Sequence, residues 1–326
     1  MHPPLSRRQL AALFASSLAL LSAAPASAQD YPAKPITLVV GYPPGGSTDL
    51  MGRLVGAELA TRLGQPVVIE NLGGAGGTIG AQKVANAAAD GYTLLVGASN
   101  ELAIAKLVAK SVKYGQANFT PIGLIGSQPL VLVASTATGV KNANDFTQLV
   151  KKNPGKFSYG SSGVGTALHL AGEMVKEQAG LFMTHIPYRG VAPLTNDLVG
   201  NNLEFGVFVL SSGLPHIKSG KVVTLGTTAA KRAPATPDIP ALAEFPQFKN
   251  VNIESWFALV GPAKLPQPVV NRLKKALNET LQSPDFRKKM AAAGSSVATP
   301  DVNLEQFWRD EVAKYTKIVQ FAKIEE

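Results

Sequence analysis

The stretch Val39–Asp49, VVGYPPGGSTD, decides the fold of this chain. It continues the apolar run Ile36–Val40, which predicts a buried strand, and ends in a helix-start signal at Ser47. Its prolines stiffen the turn and lack amide donors, while its glycines bend sharply and leave no side chain in the way. The remaining N–H groups then lie at a helix N-terminus, which favours a carboxylate or phosphate. A strand-to-helix turn without a ligand stays an alternative for this stretch alone.

The same pattern returns along the chain. Strand Tyr92–Val96 ends in the small polar residues Gly97–Asn100, and strand Phe157–Gly160 runs into Ser161–Thr166, a loop that mirrors the first one. In open α/β sheets, ligands bind beyond the carboxyl ends of the strands. These loops therefore predict an anion cleft between two lobes, although a simple helix cap would also explain each loop separately.

Strands and helices alternate from end to end, which predicts an α/β fold of two lobes, each a mostly parallel sheet flanked by helices. Phe119–Ala134 is typical of a crossing segment, and Ile253–Val260 of a return strand. We therefore assign residues 29–130 plus 254–326 to lobe 1 and residues 131–253 to lobe 2. Ser211–Gly213 is expected to connect two strands of lobe 2.

Residues 1–28 have the order of a secretory signal peptide. A basic head at Arg7 and Arg8 precedes an apolar segment and the small-residue motif Ala26–Ala28, so cleavage is expected after Ala28. The paired arginines also approach the twin-arginine pattern, but the Sec route is favoured. Removal leaves 298 of the 326 residues and lowers the formal charge from +9 to +7. The sequence predicts an exported, periplasmic protein.

Composition and motifs exclude several classes. The chain has no cysteine, so it has no thiolate metal site, and its lysines are scattered without interleaved aromatic residues, which argues against nucleic acid. His169 and Glu173 lie four residues apart but lack a further ligand with metal-site spacing. No Walker loop or nucleophile elbow is present. We therefore predict no metal, no cofactor and no catalytic residues, while the positive balance steers small anions to a cleft.

The chain resembles the Bug-type receptors, the periplasmic solute-binding proteins of tripartite tricarboxylate transporters. The resemblance rests on seven motifs in a specific order: Tyr31–Ile36, Tyr42–Gly46, Leu63–Val68, Gly73–Gly77, Asp90–Leu95, His185–Gly190 and Pro237–Pro240. It implies a two-lobed Venus-flytrap protein that closes on a small carboxylate and presents it to integral-membrane transporter subunits. It also implies a monomer without enzyme activity.

In this family, backbone amides and waters of two opposed loops hold the carboxylate. The resemblance maps the ligand site onto three loops and one strand position. The first loop supplies Tyr42, Pro43, Pro44, Gly45, Gly46, Ser47, Thr48 and Asp49, and the second loop supplies Ser161, Ser162, Gly165, Thr166 and Ala167. The third loop supplies Ser99 and Asn100, and the strand position is Phe208. Asp49 is expected to order the first loop or its waters. Gly41 stands where the family often has proline, which is expected to loosen that loop.

Two further features bear on the ligand and the alternatives. Val207–Val209 lacks the acidic residue of many members, which shifts the expected ligand from amino acids toward plain or aromatic carboxylates. Arg189 is a candidate cation, although a surface position beside the hinge is favoured. A ligand sensor for a membrane kinase is one alternative function. An exported hydrolase or lyase acting on a carboxylate is the other, with Ser161, Ser162 and His169 as its only candidates.

Overall fold

The computed structural model describes residues 31–233 and 236–324; the predicted signal peptide lies outside them. The first part of the chain forms β1 (Ile36–Val40), α1 (Ser47–Leu63), β2 (Val67–Asn71), α2 (Thr78–Ala85), β3 (Thr93–Ala98), α3 (Ala105–Val108) and β4 (Phe119–Ser135). A 3₁₀ turn, Ala75–Gly77, precedes α2, and a π turn, Asn100–Ile104, precedes α3. β1 and α1 have the predicted bounds, because a buried apolar run and the left-handed Gly64 delimit them locally.

The second part builds the other lobe and then returns. It forms α4 (Ala143–Lys152), β5 (Ser158–Ser161), α5 (Ala167–Ala179), β6 (Thr184–Pro187), α6 (Val191–Val199), β7 (Phe205–Val209), α7 (Leu210–Lys218) and β8 (Val222–Thr227). The remaining elements are β9 (Glu254–Pro262), α8 (Gln267–Gln282), α9 (Pro284–Ala292), β10 (Ser296–Val297) and α10 (Leu304–Ala322). None of the helices in the described ranges is long and apolar enough to cross a membrane.

The sheet of each lobe is mixed. In lobe 1 the strand order is β2-β1-β3-β9-β4-β10, and in lobe 2 it is β8-β4-β7-β5-β6. The β1–β2, β1–β3, β5–β6 and β5–β7 pairs are parallel, as expected for strands joined by helices. Each antiparallel pairing among the described strands involves β4 or β9, the two strands that carry the chain between the lobes.

β4 changes partners along its length. Phe119–Pro129 pairs with β9, whereas the part from Leu130 onward pairs with β7 and β8. Immediately before β9, the amide of Ile253 still donates to Thr228 O beside β8. These changes lie within two residues of the predicted lobe boundaries, which stay a prediction that the pairing supports.

The carboxy-terminal helix α10 is hydrogen-bonded to the π turn and to the start of β9. Trp308, buried on this helix, donates from Nε1 to Leu102 O at 2.8 Å, inside the π turn. Tyr315 donates its hydroxyl to Glu254 O at 3.0 Å, at the start of β9. The third loop and the return strand are therefore held to one buried aromatic face, as the helical spacing of these residues predicts.

Two helices escape the sequence patterns. The sequence patterns assign no element to residues 191–199, where α6 forms, and Ser211–Gly213, expected to connect two strands, lies in the first turn of α7. α6 has Pro193 at its third position, which is harmless because the first four N–H groups of a helix have no intrahelical partner. α7 contains Pro215. Proline conceals both helices from a periodicity argument, and both begin at the cleft.

Candidate functional site

The lobes enclose a cleft with two adjoining chambers, a small one of about 250 Å³ and a large one of about 480 Å³. The small chamber lies against the starts of helices from both lobes. The large chamber lies between the glycine-rich 74–78 segment, α3 and the 162–166 loop. Six residues line both chambers: Tyr42, Pro43, Asn100, Ser162, Arg189 and Gly190.

Four helices begin at the wall of the small chamber. The wall residues at these starts are Gly45–Thr48 of α1, Leu168 of α5, Arg189–Pro193 of α6, and Val209 and Ser212 of α7. A helix N-terminus is equivalent to about half a positive charge. The chamber therefore lies at the convergence of four positive helix ends.

The residues at the starts of α1 and α6 line this chamber, and their first amides have no protein acceptor in the described part of the chain. Neither N-cap residue, Gly46 or Gly190, has a side-chain cap. Within the described ranges, the amides of Gly46–Thr48 and Gly190–Ala192 donate to no protein acceptor. Ser212 Oγ is also buried without a partner there. These groups are donors that a bound anion can satisfy.

No acidic side chain lines either chamber in the described part of the chain. Arg189 is the one lining side chain there with a permanent charge. His216 lines the small chamber, and burial together with the nearby Lys221 lowers its pKa. The positive groups of the cleft wall are therefore Arg189 and the helix N-termini, with no negative side chain among the described lining residues to oppose them. The described residues also hold no cluster of three or more side chains suited to a metal ion.

A buried carboxylate shapes the first loop. Asp49 accepts hydrogen bonds from the Gly45 amide at 2.9 Å, from Asn71 Nδ2 at 2.9 Å and from Arg53 Nε at 3.0 Å. Although burial opposes the shift, these bonds hold the pKa of Asp49 below its ordinary value. Asp49 lines neither chamber, so its place fits the predicted ordering role.

Gly41, where the family often has proline, packs against the backbones of two other glycines. A Cβ at Gly41 would lie 2.7 Å from Gly77 O, and one at Gly80 would lie 2.8 Å from the Cα of Gly41. The backbones of these three glycines are in close contact, which only glycine permits. The 74–78 segment is thereby held as one wall of the large chamber.

The second loop has most of its amides occupied. Gly163 donates to Ser161 Oγ at 3.2 Å, Gly165 to His169 Nδ1 at 3.1 Å, and Ala167 to Asn100 Oδ1 of lobe 1 at 2.6 Å. The Thr166 amide donates within the loop, to Gly163 O. The second loop is therefore not the bare set of amides that the mirrored sequence pattern predicts.

The stacked imidazoles of His169 and His185 contact the second loop. The rings of His169 and His185 lie 3.8 Å apart at 10°. Burial lowers the pKa of His169 to about 4 and that of His185 to about 3. Neutral His169 can accept the Gly165 amide, which an imidazolium cannot do. His185 Nε2 lies 2.7 Å from Ser161 Oγ.

This serine–histidine pair does not face the cleft. Ser161 is fully buried and lines neither chamber. Ser162 lines both chambers, but in the described structure no hydrogen bond joins it to a histidine. The arrangement places no activated hydroxyl at the cleft, which weakens the hydrolase alternative.

A third cluster joins the lobes. Asn100 Nδ2 donates to the Tyr42 hydroxyl at 2.8 Å, while its Oδ1 accepts the Ala167 amide of lobe 2. The same hydroxyl lies 2.9 Å from Oε2 of the buried Glu101 and 2.7 Å from Gly76 O. The sequence patterns do not point to Glu101.

Most of the predicted ligand residues come together at this cleft. Eleven line a chamber: Tyr42, Pro43, Pro44, Gly45, Gly46, Ser47, Thr48, Asn100, Ser162, Gly165 and Thr166. Four lie behind the wall: Asp49, Ser99, Ser161 and Ala167. Phe208 is a correction, because its side chain points into the lobe 2 core and its neighbour Val209 lines the chamber instead. The small chamber is also lined by residues that the sequence did not predict, namely the α6 start, Ser212, His216 and Ser255.

Comparison with known proteins agrees with this geometry. The model of the tripartite tricarboxylate transporter family receptor matches residues 51–324. BugT of Bordetella pertussis is 34% identical over 304 residues, covering 91% of this chain and 92% of BugT. The structure of periplasmic binding protein BugD has a TM-score of 0.85 at 34% identity, covering 90% of this chain and 99% of BugD. R. palustris Rpa4515 with adipate has a TM-score of 0.87 at 30% identity, covering 91% and 99%.

These similarities span most of the chain and confirm the two-lobed α/β fold and the receptor class predicted from the motifs. The family consists of periplasmic solute-binding receptors rather than enzymes. The chain therefore belongs to the tripartite tricarboxylate transporter receptor family and is a solute-binding receptor of the Bug type.

Proposed function

We propose that this receptor captures a small organic carboxylate in the small chamber and presents it to integral-membrane transporter subunits. One observation carries the proposal: four helix N-termini converge on a chamber whose described wall has no acidic side chain. Backbone N–H donors in a closed cleft bind a carboxylate through charge-assisted hydrogen bonds without a salt bridge. Because α1 and α6 belong to different lobes, an anion between them favours the closed conformation.

The same wall restricts the ligand class. A ligand ammonium would need an acidic partner, and neither chamber offers one among its lining residues. The proposal therefore favours plain or aromatic carboxylates over amino acids. Two structures of relatives contain adipate, in Rpa4515, and malate, in MatC from Rhodopseudomonas palustris. Both molecules are carboxylates without an ammonium group.

The proposed setting is the periplasm, after Sec export and cleavage behind Ala28, where the receptor acts as a monomer. A sensor for a membrane kinase would bind its ligand in the same way, so binding alone does not separate the two roles. Uptake of the identified carboxylate by cells with and without the gene does. Loss of uptake supports transport, and intact uptake with a lost transcriptional response supports sensing.

Thermal unfolding of the mature chain with adipate, malate and benzoate tests the binding proposal. Adipamide and 1,6-diaminohexane serve as neutral and cationic controls of matched length. A carboxylate at 100 times its dissociation constant adds about 2.7 kcal/mol to the free energy of unfolding. We expect at least one carboxylate, and neither control, to stabilise the protein. Stabilisation by the diamine, or by none of a broad carboxylate panel, contradicts the proposal.

A further inference from the structure

The Tyr42 hydroxyl sits at the centre of the cluster that joins the lobes, with three polar partners. Asn100 Nδ2 lies at 2.8 Å, Gly76 O at 2.7 Å and Glu101 Oε2 at 2.9 Å. A phenolic hydroxyl has one proton to donate and two lone pairs that accept. Which of these contacts are real hydrogen bonds therefore depends on where the protons are.

The orientation of Asn100 is set by lobe 2. Its Oδ1 accepts the Ala167 amide at 2.6 Å, so its NH₂ group must face Tyr42 and donate. Gly76 O can only accept, and the single proton of the Tyr42 hydroxyl is the donor at that contact. The hydroxyl then has no proton left for Glu101, and an ionised Glu101 would face an oxygen lone pair at 2.9 Å.

A proton on Glu101 Oε2 satisfies the whole cluster. Glu101 then donates to Tyr42, Tyr42 donates to Gly76 O, and Asn100 donates to Tyr42. The other oxygen, Oε1, accepts the Ala98 amide at 2.6 Å, which leaves Oε2 as the protonated atom. We propose that Glu101 is a neutral carboxylic acid in the folded receptor, and that it positions Tyr42 and Asn100 for the contact with lobe 2.

The surroundings of Glu101 support a neutral acid. Its side chain is buried at 1% exposure, against the turn at Gly77. Burial raises its pKa to about 7, although the hydrogen bond from the Ala98 amide opposes the shift. The titratable groups that face it in the described structure are Tyr42 from the first loop and Tyr114, whose hydroxyl donates to Glu101 O. The π turn, α5 and α10 add no charged contact there.

The coupling to closure follows from one shared residue. Asn100 contacts both Tyr42 of lobe 1 and the first amide of α5 in lobe 2. Loss of the Glu101 proton turns the Tyr42 hydroxyl toward Glu101 and withdraws its donor from Gly76 O. Deprotonation therefore disturbs the wall shared by the two chambers, and closure takes up a proton wherever the open state has lost it.

Infrared difference spectra of the mature chain without added anion test the protonation itself. Wild type minus Glu101→Gln should show the carbonyl stretch of a carboxylic acid at pH 6, and this band should vanish as the pH rises through about 7. Glu254, whose pKa burial also raises, is present in both proteins and cancels. Absence of the band at pH 6 overturns the proposal. In Tyr42→Phe the band should persist but move, because the acid has lost its acceptor.

Stability against pH provides the second readout. Glu101→Gln keeps a donor toward Tyr42 and an acceptor for Ala98, but it does not titrate. The raised pKa makes the folded state hold its proton between about pH 4.5 and 7, where the unfolded state has lost it. Relative to Glu101→Gln, the folding equilibrium constant of the wild type should fall about tenfold per pH unit across this window and stay flat above it. Parallel curves contradict the proposal. Neither test uses a carboxylate ligand, so failure of the proposed function would leave both results standing.

Discussion

The loops Tyr42–Thr48 and Ser161–Ala167 share one sequence pattern and differ in their hydrogen bonds. Asp49 pins the first loop from behind through the Gly45 amide, and the amides that follow stay open to the small chamber. In the second loop Ser161, His169 and Asn100 accept the amides instead. The same sequence of a strand, a small-residue turn and a helix start can therefore leave its amides without a protein acceptor or have them occupied by side chains. The side chains behind the turn decide which.

In lobe 2 the amides without a protein acceptor lie at the start of α6 and not in the second loop. The N-cap of α6 is Gly190, with φ of 111° and no side-chain cap, and residues at the starts of α6 and α1 both line the small chamber. In the proposed site, the opposed anion donors are the starts of α1 and α6, while the second loop makes the contact between the lobes. Four predictions test this division of roles.

The largest effect is expected from Asp49→Ala. It removes a buried carboxylate with three donors, which should lower the free energy of unfolding by about 3 kcal/mol and abolish the carboxylate-induced thermal shift. Asp145→Ala is the matched control. Asp145 holds the same third position in α4, and accepts the Lys141 amide as Asp49 accepts that of Gly45, but lies away from the cleft. An unchanged thermal shift in Asp49→Ala would show that the first loop needs no anchor.

The second loop should respond to acid. Because burial lowers the pKa of His169 to about 4, the unfolded state binds a proton between about pH 6.5 and 4 that the folded state does not. The contribution of neutral His169 to the free energy of unfolding is fully present above pH 6.5. As the pH falls toward 4, this free energy decreases by up to about 3 kcal/mol. His169→Asn keeps an acceptor near the position of Nδ1 but does not titrate. In this variant the free energy of unfolding, measured by chemical denaturation, should therefore fall less steeply with decreasing pH than in the wild type. An identical slope contradicts the role assigned to His169.

Proline at the first helical position removes one N–H group and preserves the helix. Ser47→Pro in α1 and Val191→Pro in α6 should each weaken adipate binding, measured calorimetrically, about tenfold or more, because each deletes a charge-assisted donor of about 2 kcal/mol. Ser47→Ala and Val191→Ala keep the amide and should bind more tightly than the prolines. Ala167→Pro in α5 should instead reduce stability, because the Ala167 amide bonds to Asn100. Equal losses of affinity at all three positions would remove the distinction between the loops.

The smallest effect is expected from Arg189→Gln. Arg189 lines both chambers but has no acidic partner recorded in the described structure, so it acts by long-range attraction. Adipate affinity should fall only a few-fold, and the loss should disappear at high salt. A hundredfold loss would mean that a salt bridge, rather than backbone amides, binds the anion.

Local signals explain what the sequence could predict. The apolar run of β1, the glycine after α1 and the polar residues at strand ends all act within a few residues, so these bounds and the first loop were predictable. The occupancy of the second loop was not, because His185 comes from another strand and Asn100 from the other lobe. The proton on Glu101 depends on burial, which no single motif records.

The start of α6 could have been predicted from one signal. The sequence His185–Gly190 is a strand followed by a glycine turn, the same signal that predicts α1, and a proline within the first turn of a helix is compatible with a helix start. Phe208 shows the opposite error. It lies in the right strand, but alternation turns its side chain into the core and leaves Val209 for the chamber.

A crystal structure of the mature chain with the carboxylate that gives the largest thermal shift tests the central claim most directly. We predict one carboxylate group in the small chamber, within hydrogen-bonding distance of amides at the starts of both α1 and α6. A carboxylate bound only in the large chamber, or held by Arg189 without contact to either helix start, would contradict it.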